Sequence, residues 1–541
     1  MKTLSITLGA VVAVCMAYPA GCIDYMDFHT VETSTLGTGG AGGSECAPGT
    51  VAPCYGGPEG TEGVGLCKTG EQICNPDGMS YGPCAGEVLP AAENCTNPSD
   101  EDCDGLAPTC TGTPLWSKRF GDDGEQWNTS VAVDNAGSVL ITGNFQNSVD
   151  FGGGPLVSGG SVDLFLVKLD QAGEHLWSKS FGDALPQGDI AIAVDGTDKI
   201  LIAGSFFGSV DFGGGPLTAP IFGAVFVAKL DTTGAFLWAK SFDGVTFGAR
   251  AYIAVDGMGN IFVAGDFHDS VNFGGGLITS AGGSDLFVAK FSGTGEHIWA
   301  MRFGDAGSQT VAGLTVDDAG NVLVAGSFGG TVDFGGGVLT SADAFDFYAA
   351  KLDTAGEHIW SMRIGGASGP DSEGNITVAA DGMGSALLVG SFSNPADFGG
   401  GPLMSDGGLD LFAAKLDPTK GHVFSRRFGD INDQTGHAVA VDGAGHSVFT
   451  GAFSGTVDFG NGEPMASAGG QDIFLAKLDA SGSHLWSKHF GDTAYQAGVS
   501  VAADKMGNTL LAGQFFGTID FGNGALVSAG ATDIFVAKFT P

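Results

Sequence analysis

Seven near-copies of one segment, four strand-like runs in each copy, and a lone strand at the start that supplies what the last copy lacks predict an all-β chain: a seven-bladed β-propeller of four-stranded blades, preceded by a small disulfide-rich module. The copies are marked by the phrases "LWSKRFG", "LWSKSFG", "LWAKSFD", "IWAMRFG", "IWSMRIG", "VFSRRFG" and "LWSKHFG", which begin at Leu115, Leu176, Leu237, Ile298, Ile359, Val423 and Leu485. The step is 61 residues, stretched to 64 once and 62 once. A fixed long period means stacked supersecondary units.

Within one copy the runs "IAIAVD" (190–195), "KILIAGSF" (199–206), "AVFVAKLD" (224–231) and "AFLWAKSF" (235–242) are rich in Val, Ile, Phe and Trp and are parted by Gly-bearing turns. Short links such as "DTTG" and "DGTD" suit antiparallel hairpins, so each copy reads as a blade. The repeat region opens on a Trp strand alone, 115–120, and closes on "DIFVAKF", 533–539, the run that precedes a Trp strand in every other copy. Pairing the first strand beside the last gives seven of each type and removes an open sheet edge.

Ahead of the repeat, residues 1–21 read as a signal: Lys2 precedes an apolar run over 4–17, suited to export and short for a membrane span. Ala20 and Gly21 before Cys22 resemble a bacterial lipoprotein signal, which implies that Cys22 is acylated and becomes the mature first residue; ordinary cleavage nearby is the alternative. The expected location is the exported side of a bacterial envelope, at the outer membrane or cell surface, with membrane contact through the lipid anchor only. Residues 22–44 form a Thr, Gly and Ser-rich tether. Residues 45–112 hold Cys46, Cys54, Cys67, Cys74, Cys84, Cys95, Cys103 and Cys110, an even set in a short exported segment and so a disulfide module of four bridges with pairing left open. The propeller occupies 113–541.

The phrases "SVDFGGGPLT", "DLFVAKLD" and the "W-[SA]-[KM]" strand resemble the predicted bacterial seven-bladed propeller repeat known as the SBBP repeat, from Leu115 to the end. The Cys-rich part is similar to modules of Gram-negative surface lipoproteins. The repeat likeness speaks to fold more than to function, and the likeness of the Cys-rich part implies display at the envelope without a known activity.

Repetition separates scaffold from site, because blade packing explains a residue found in every blade. Six Trp, five His (His175, His297, His358, His422 and His484, an expected rim of exposed strand starts) and seven Lys from Lys168 to Lys538 fall under this reading. So do Asp150, Asp211, Asp333, Asp397, Asp458 and Asp520 of "VDFGGG", with Asn272 in the third copy, which are expected to cap a turn, a shallow Ca²⁺ site per blade being the alternative. In "DEDCDG", Asp100, Asp102 and Asp104 followed by Gly105 match the first half of a Ca²⁺ loop, but Thr111 stands where the bidentate Glu belongs; a solvated turn is the alternative.

With 60 Asp and Glu against 22 Lys and Arg, a formal charge of −38, the chain is a poor match for nucleic acid. No P-loop, dinucleotide fingerprint, zinc-protease helix or nucleophile elbow is present in a credible context, and no catalytic residue is assigned. The variable parts are the links from each Trp strand to the next blade. Five carry Gln (Gln126, Gln187, Gln309, Gln434 and Gln496); the third and fifth instead introduce Phe247, Arg250, Tyr252, Asp371 and Glu373. Together with Trp127, the one Trp outside the repeat, these are the expected ligand contacts at one channel mouth. The leading expectation is thus a non-enzymatic binder of an unknown protein or glycan, with no cofactor beyond Ca²⁺. The alternatives are a secreted polysaccharide hydrolase or lyase, with Asp371 and Glu373 as acid and base, and a structural envelope component.

Overall fold

The computed structural model describes residues 46–58, 60–90, 99, 100, 103, 111–243, 251–342, 344–365 and 375–541. They fall into two compact units, residues 46–52 with Glu71–Pro83, and Pro53–Gly70 with Cys84–Pro541. In the first, Cys46 bridges Cys74; in the second, Cys54 bridges Cys84 and Cys67 bridges Cys103. Cys95 and Cys110 lie outside the described residues, as does Cys22.

The repeat forms seven four-stranded antiparallel sheets. Blade 1 runs Gln126–Val133, Val139–Phe145, Asp163–Leu169 and His175–Phe181 from first strand to fourth, and blades 2 to 6 follow the same order. Blade 7 takes three strands from the C-terminus, Gln496–Ala503, Thr509–Phe515 and Asp533–Phe539, and its fourth from the start, Pro114–Phe120. The register joins Phe120 to Ile534 and Trp116 to Lys538, so the ring closes as the repeat count requires. The "VDFGGG" stretch adds what the four-strand reading omitted, a short hairpin between second and third strands, such as Ser148–Asp150 with Pro155–Val157.

The third strands are buried along their whole length, and the second strands are too save for Asp266, Ser327 and Gln514, which is why both read as apolar runs. Seven apolar clusters fill the gaps between neighbouring blades; one joins Leu164 and Leu166 of blade 1 to Ile200, Phe212 and Phe226 of blade 2. Much of the Phe content goes into one motif at these gaps. The hairpin Phe of one blade packs between the fourth-strand Phe of the blade before it and a third-strand Phe of its own, as Phe151 does with Phe120 (5.1 Å) and Phe165 (4.9 Å).

Polar side chains fasten the same gaps. Trp116, Trp238, Trp299 and Trp360 each donate their indole N–H to a hairpin carbonyl of the following blade, at 2.9–3.3 Å, and Trp486 donates to the Pro541 carbonyl beyond the third strand of blade 7 at 2.6 Å. The seven Lys are buried. Each pairs with the Asp that follows the first strand of its own blade, at 2.8–2.9 Å in six blades and 3.9 Å for Lys290 and Asp256. Five of them also donate to a carbonyl of the next blade, for example Lys351 to Gly384 at 2.6 Å. The same Asp caps its hairpin: Asp134 Oδ1 accepts the amides of Ala136 and Ser138 while Oδ2 faces Lys168. Burial pushes the Asp195 carboxyl up, but hydrogen bonds from Lys229, Thr197 and backbone amides outweigh it and hold the pKa at about 2.

The repeated Asp of "VDFGGG" caps its turn as expected. Asp150 Oδ1 accepts the amides of Gly152 and Gly154, and the other copies, Asn272 included, repeat this. The five His depart from the exposed rim: all but His422 are half-buried. A ring such as that of His175 lies over the hairpin glycine, where a Cβ on Gly153 would come within 2.3 Å of it, so the His and the bare glycine are partners in packing.

Candidate functional site at the channel mouth

The first strands line the central channel, and in blades 1, 2, 4, 6 and 7 a β-bulge interrupts their pairing with the second strand. A bulge needs room, because it turns a first-strand carbonyl toward the neighbouring strand. The glycine at the middle of each second strand supplies it. A Cβ on Gly451 would sit 1.8 Å from the Thr435 carbonyl oxygen, and one on Gly326 would sit 1.9 Å from that of Thr310. We expect Gly451→Ala to cost about 3 kcal/mol, read as a lower denaturant midpoint at unchanged slope, because the backbone cannot yield without losing the bulge.

The bulged residues turn into a cavity of about 250 Å³ whose lining includes Asn128, Asp189, Tyr252, Asn375, His437 and Ser500, all from first strands or the residue before one. Hydrogen bonds from blade to blade hold them. Asn128 Nδ2 donates to Asp189 Oδ1 at 2.5 Å and to Asn144 Oδ1 at 3.1 Å. Asn375 Nδ2 donates to the Gly436 carbonyl at 2.5 Å, and its Oδ1 accepts Ser391 Oγ at 2.7 Å. His437 Nδ1 lies 2.9 Å from the Gly498 carbonyl, so that nitrogen carries a proton. Asn128 has a left-handed backbone, φ 54°, a conformation that Asn adopts more readily than other side chains. Behind the lining, burial pushes the Asp266 carboxyl and the Tyr348 phenol up.

The mouth is the one where the variable links arrive, and the repeated Gln proves to be part of its frame rather than of a site. Gln309, Gln434 and Gln496 are buried, and each donates to a carbonyl after its second strand, those of Gly329, Ser454 and Phe516, at 2.9–3.1 Å. Of the expected ligand contacts, Tyr252 lines the cavity. Trp127 is half-buried beside Asn128 and is not among the lining residues. Phe247, Arg250, Asp371 and Glu373 lie outside the described residues. So do Asp102 and Asp104; the Asp100 carbonyl accepts the Leu66 amide at 2.9 Å. Among the described residues no three His, Cys, Asp or Glu side chains gather as a metal-binding set.

Asn128, Asp189, Asn375 and His437 escaped the sequence reading, which looked for divergence in the links. The signal was present one step later. Six residues before the Asp that follows the first strand, the copies carry Asn128, Asp189, Arg250, Val311, Asn375, Gly436 and Gly498, in a stretch that otherwise repeats.

No protein-family model matches the chain. A WD repeat-containing protein of Acanthamoeba polyphaga mimivirus is 19% identical over 79% of this chain and 38% of its own length, so the chain spans under two fifths of that relative. Among solved structures, the WD40 domain of Neurospora crassa Pan2 is similar over 79% of this chain and 98% of its own, at 10% identity and a TM-score of 0.36. The polysaccharide lyase Uly1 is similar over 76% and 90%, at 10% identity and a TM-score of 0.43. What the seven sheets of this chain establish is a seven-bladed β-propeller repeat protein with disulfides ahead of the ring.

Proposed function

We propose that this protein is an exported, lipid-anchored propeller of the bacterial envelope that binds a glycan end or a loop of a partner protein at this channel mouth and catalyses no reaction on it. The observation that carries the reading is the coincidence of cavity and divergence: blades that agree at Lys, Asp, Trp and Phe differ where they face the cavity. Amide, hydroxyl and imidazole groups in that lining suit a neutral, hydroxyl-bearing group about the size of one sugar ring. The links bearing Phe247, Arg250, Asp371 and Glu373 would extend the same surface. The Cys-rich segment serves as a stalk, and the finer kinship we read is with SBBP-type repeats and Gram-negative surface lipoproteins.

Two experiments test it. Immobilised full-length protein is exposed to a bacterial and plant glycan array and, with crosslinking, to envelope extract from the source cell; we expect at least one ligand that Tyr252→Ala weakens tenfold or more, and retention of nothing on either surface contradicts the reading. For the anchor, Cys22→Ser is expected to move the protein from the membrane to the soluble fraction; a wild-type chain without lipid mass contradicts it.

A further inference from the structure

The fourth strands form the outer wall of the ring, and the fifth residue of each is a Lys, Arg or Met. Where that residue is a cation and a Glu stands just before the fourth strand of the following blade, the two pair. Lys118 of blade 7 meets Glu174 of blade 1 at 2.9 Å, and Lys240 of blade 2 meets Glu296 of blade 3 at 3.6 Å. Blades 3 and 4 put Met301 and Met362 in the cation's place. Blade 1 keeps Lys179 and faces Ala235, and there the Lys charge acts on Asp231 instead. Two neighbouring gaps depart in another way. Arg426 of blade 5 and Lys488 of blade 6 keep the cation, while Ser483 and Thr113 stand where the Glu belongs.

Both gaps open as grooves. One, of about 310 Å³, is lined by Arg426, Arg427, Ser483 and His484 together with Phe428 and Phe459. The next, of about 600 Å³, is lined by Lys488, His489 and Thr113 together with Phe490 and Phe521. Arg427 is taken up by Asp406 and Asp410, both at 2.8 Å, but among the described residues no carboxylate pairs with Arg426 or Lys488. The acid on each wall is turned to its own hairpin: Asp458 accepts the Gly460 amide at 2.8 Å, and Asp520 accepts that of Gly522 at 2.7 Å. Arg426 is exposed; Lys488 is half-buried, and burial pushes its ammonium down. The two hydroxyls each share one hydrogen bond with a neighbouring hydroxyl, Ser483 with Ser481 at 3.0 Å and Thr113 with Thr111 at 2.9 Å, and can turn a second toward a guest. By contrast, the groove between blades 2 and 3, where Lys240 is paired, is lined by Asp243 and Asn272 and by no cation.

We infer that these two adjacent grooves bind an acidic glycan strand, Arg426 and Lys488 each taking a carboxylate or sulfate group of the chain. A cation that has lost its acid and gained a hydroxyl neighbour presents charge and a hydrogen-bond donor together, the pair that an oxyanion on a sugar uses. The Phe rings in both linings offer the apolar face of a sugar ring a surface to lie on, which favours a charged sugar over a bare ion. The net charge of −38 repels a polyanion at long range, so the contact is short-ranged and salt-sensitive. The site lies on the outer wall, away from the channel mouth, and stands or falls independently of what binds there.

The test is affinity electrophoresis of the full-length chain through gels holding dextran sulfate, polygalacturonate or neutral dextran, at about 50 mM salt to limit screening. The expected result is retardation by one or both polyanions beyond that by dextran; dextran sulfate alone assigns the grooves to sulfate esters, polygalacturonate alone to carboxylates. Arg426→Gln with Lys488→Gln should weaken the polyanion affinity about tenfold, as the loss of two exposed ion pairs implies. Ser483→Glu with Thr113→Glu, which restores the acid of the paired gaps, should weaken it as much without removing a cation. Lys118→Gln, whose cation already has Glu174, should leave the affinity as it is, and the melting temperature of each variant controls for folding. A wild type retarded no more by the polyanions than by dextran overturns the assignment. So do both double variants binding like the wild type, or a loss in Lys118→Gln equal to theirs.

Discussion

Deleting residues 113–121 from the full chain should lower the melting temperature by about 10 °C or more and drive the protein toward aggregation. The strand removed supplies Phe120 to the packing between blades 7 and 1, the Trp116 indole to the Gln171 carbonyl, and the guanidinium that pairs with buried Asp533. Loss of one buried aromatic alone costs about 3–5 kcal/mol, and leaving Asp533 unpaired adds to it. The deletion also bares one edge of Asp533–Phe539, a seven-residue strand buried throughout and a ready template for pairing with another copy. A scanning calorimetry trace like that of the intact chain, with the protein still monomeric by light scattering, would sink the closed ring.

Lys351→Ala should cost about 3–5 kcal/mol, because the Lys351 side chain is 2% exposed and its ammonium lies 2.8 Å from the equally buried Asp317, whose charge the substitution leaves unpaired. Changing both partners, Lys351→Met with Asp317→Asn, should recover most of that loss, since it is the orphaned charge and not the absent pair that is costly. The measurement is the denaturant midpoint of the three variants; equal losses in single and double variants would contradict it. The same pairs fix the acid limit of stability. Burial pushes the carboxyls of Asp134, Asp317 and Asp381 up, but hydrogen bonds and charge from their Lys, with backbone amides, hold them below the ordinary carboxylate value in the folded chain. A depressed folded pKa gives stability that is complete above the unfolded value of about 4 and is lost as the pH falls through the folded value. Asp195, at about 2, places that loss between roughly pH 4 and pH 2.

The ring, its blade count and its closing strand were legible because they depend on period and apolar pattern, which one sequence displays in full. The fasteners were half legible. The recurrence of Lys168 and its equivalents was plain, but their partners, the Asp after each first strand, stand two strands away, and only the fold brings them within 2.8 Å. The His were placed too near the solvent for a similar reason: His175 packs on Gly153, a contact set by the hairpin between the second and third strands. The cavity lining was hidden more deeply. A strand was read as alternating in and out, yet a bulge sends Asn128 and Asp189 toward the channel out of that alternation, and nothing local in "QWNTS" or "QGDIA" announces a bulge except the glycine of the next strand.

The central claim is that binding resides where the repeat breaks. It is tested most directly by making the broken positions alike: Asn128→Gly, Asp189→Gly and Asn375→Gly together, the residue that blades 6 and 7 carry there as Gly436 and Gly498. The measurement is the affinity of this variant for a ligand found on the array, with the far-UV circular dichroism spectrum as the control for folding. The account predicts a loss of tenfold or more with the β spectrum retained; an affinity equal to that of the wild type would contradict it.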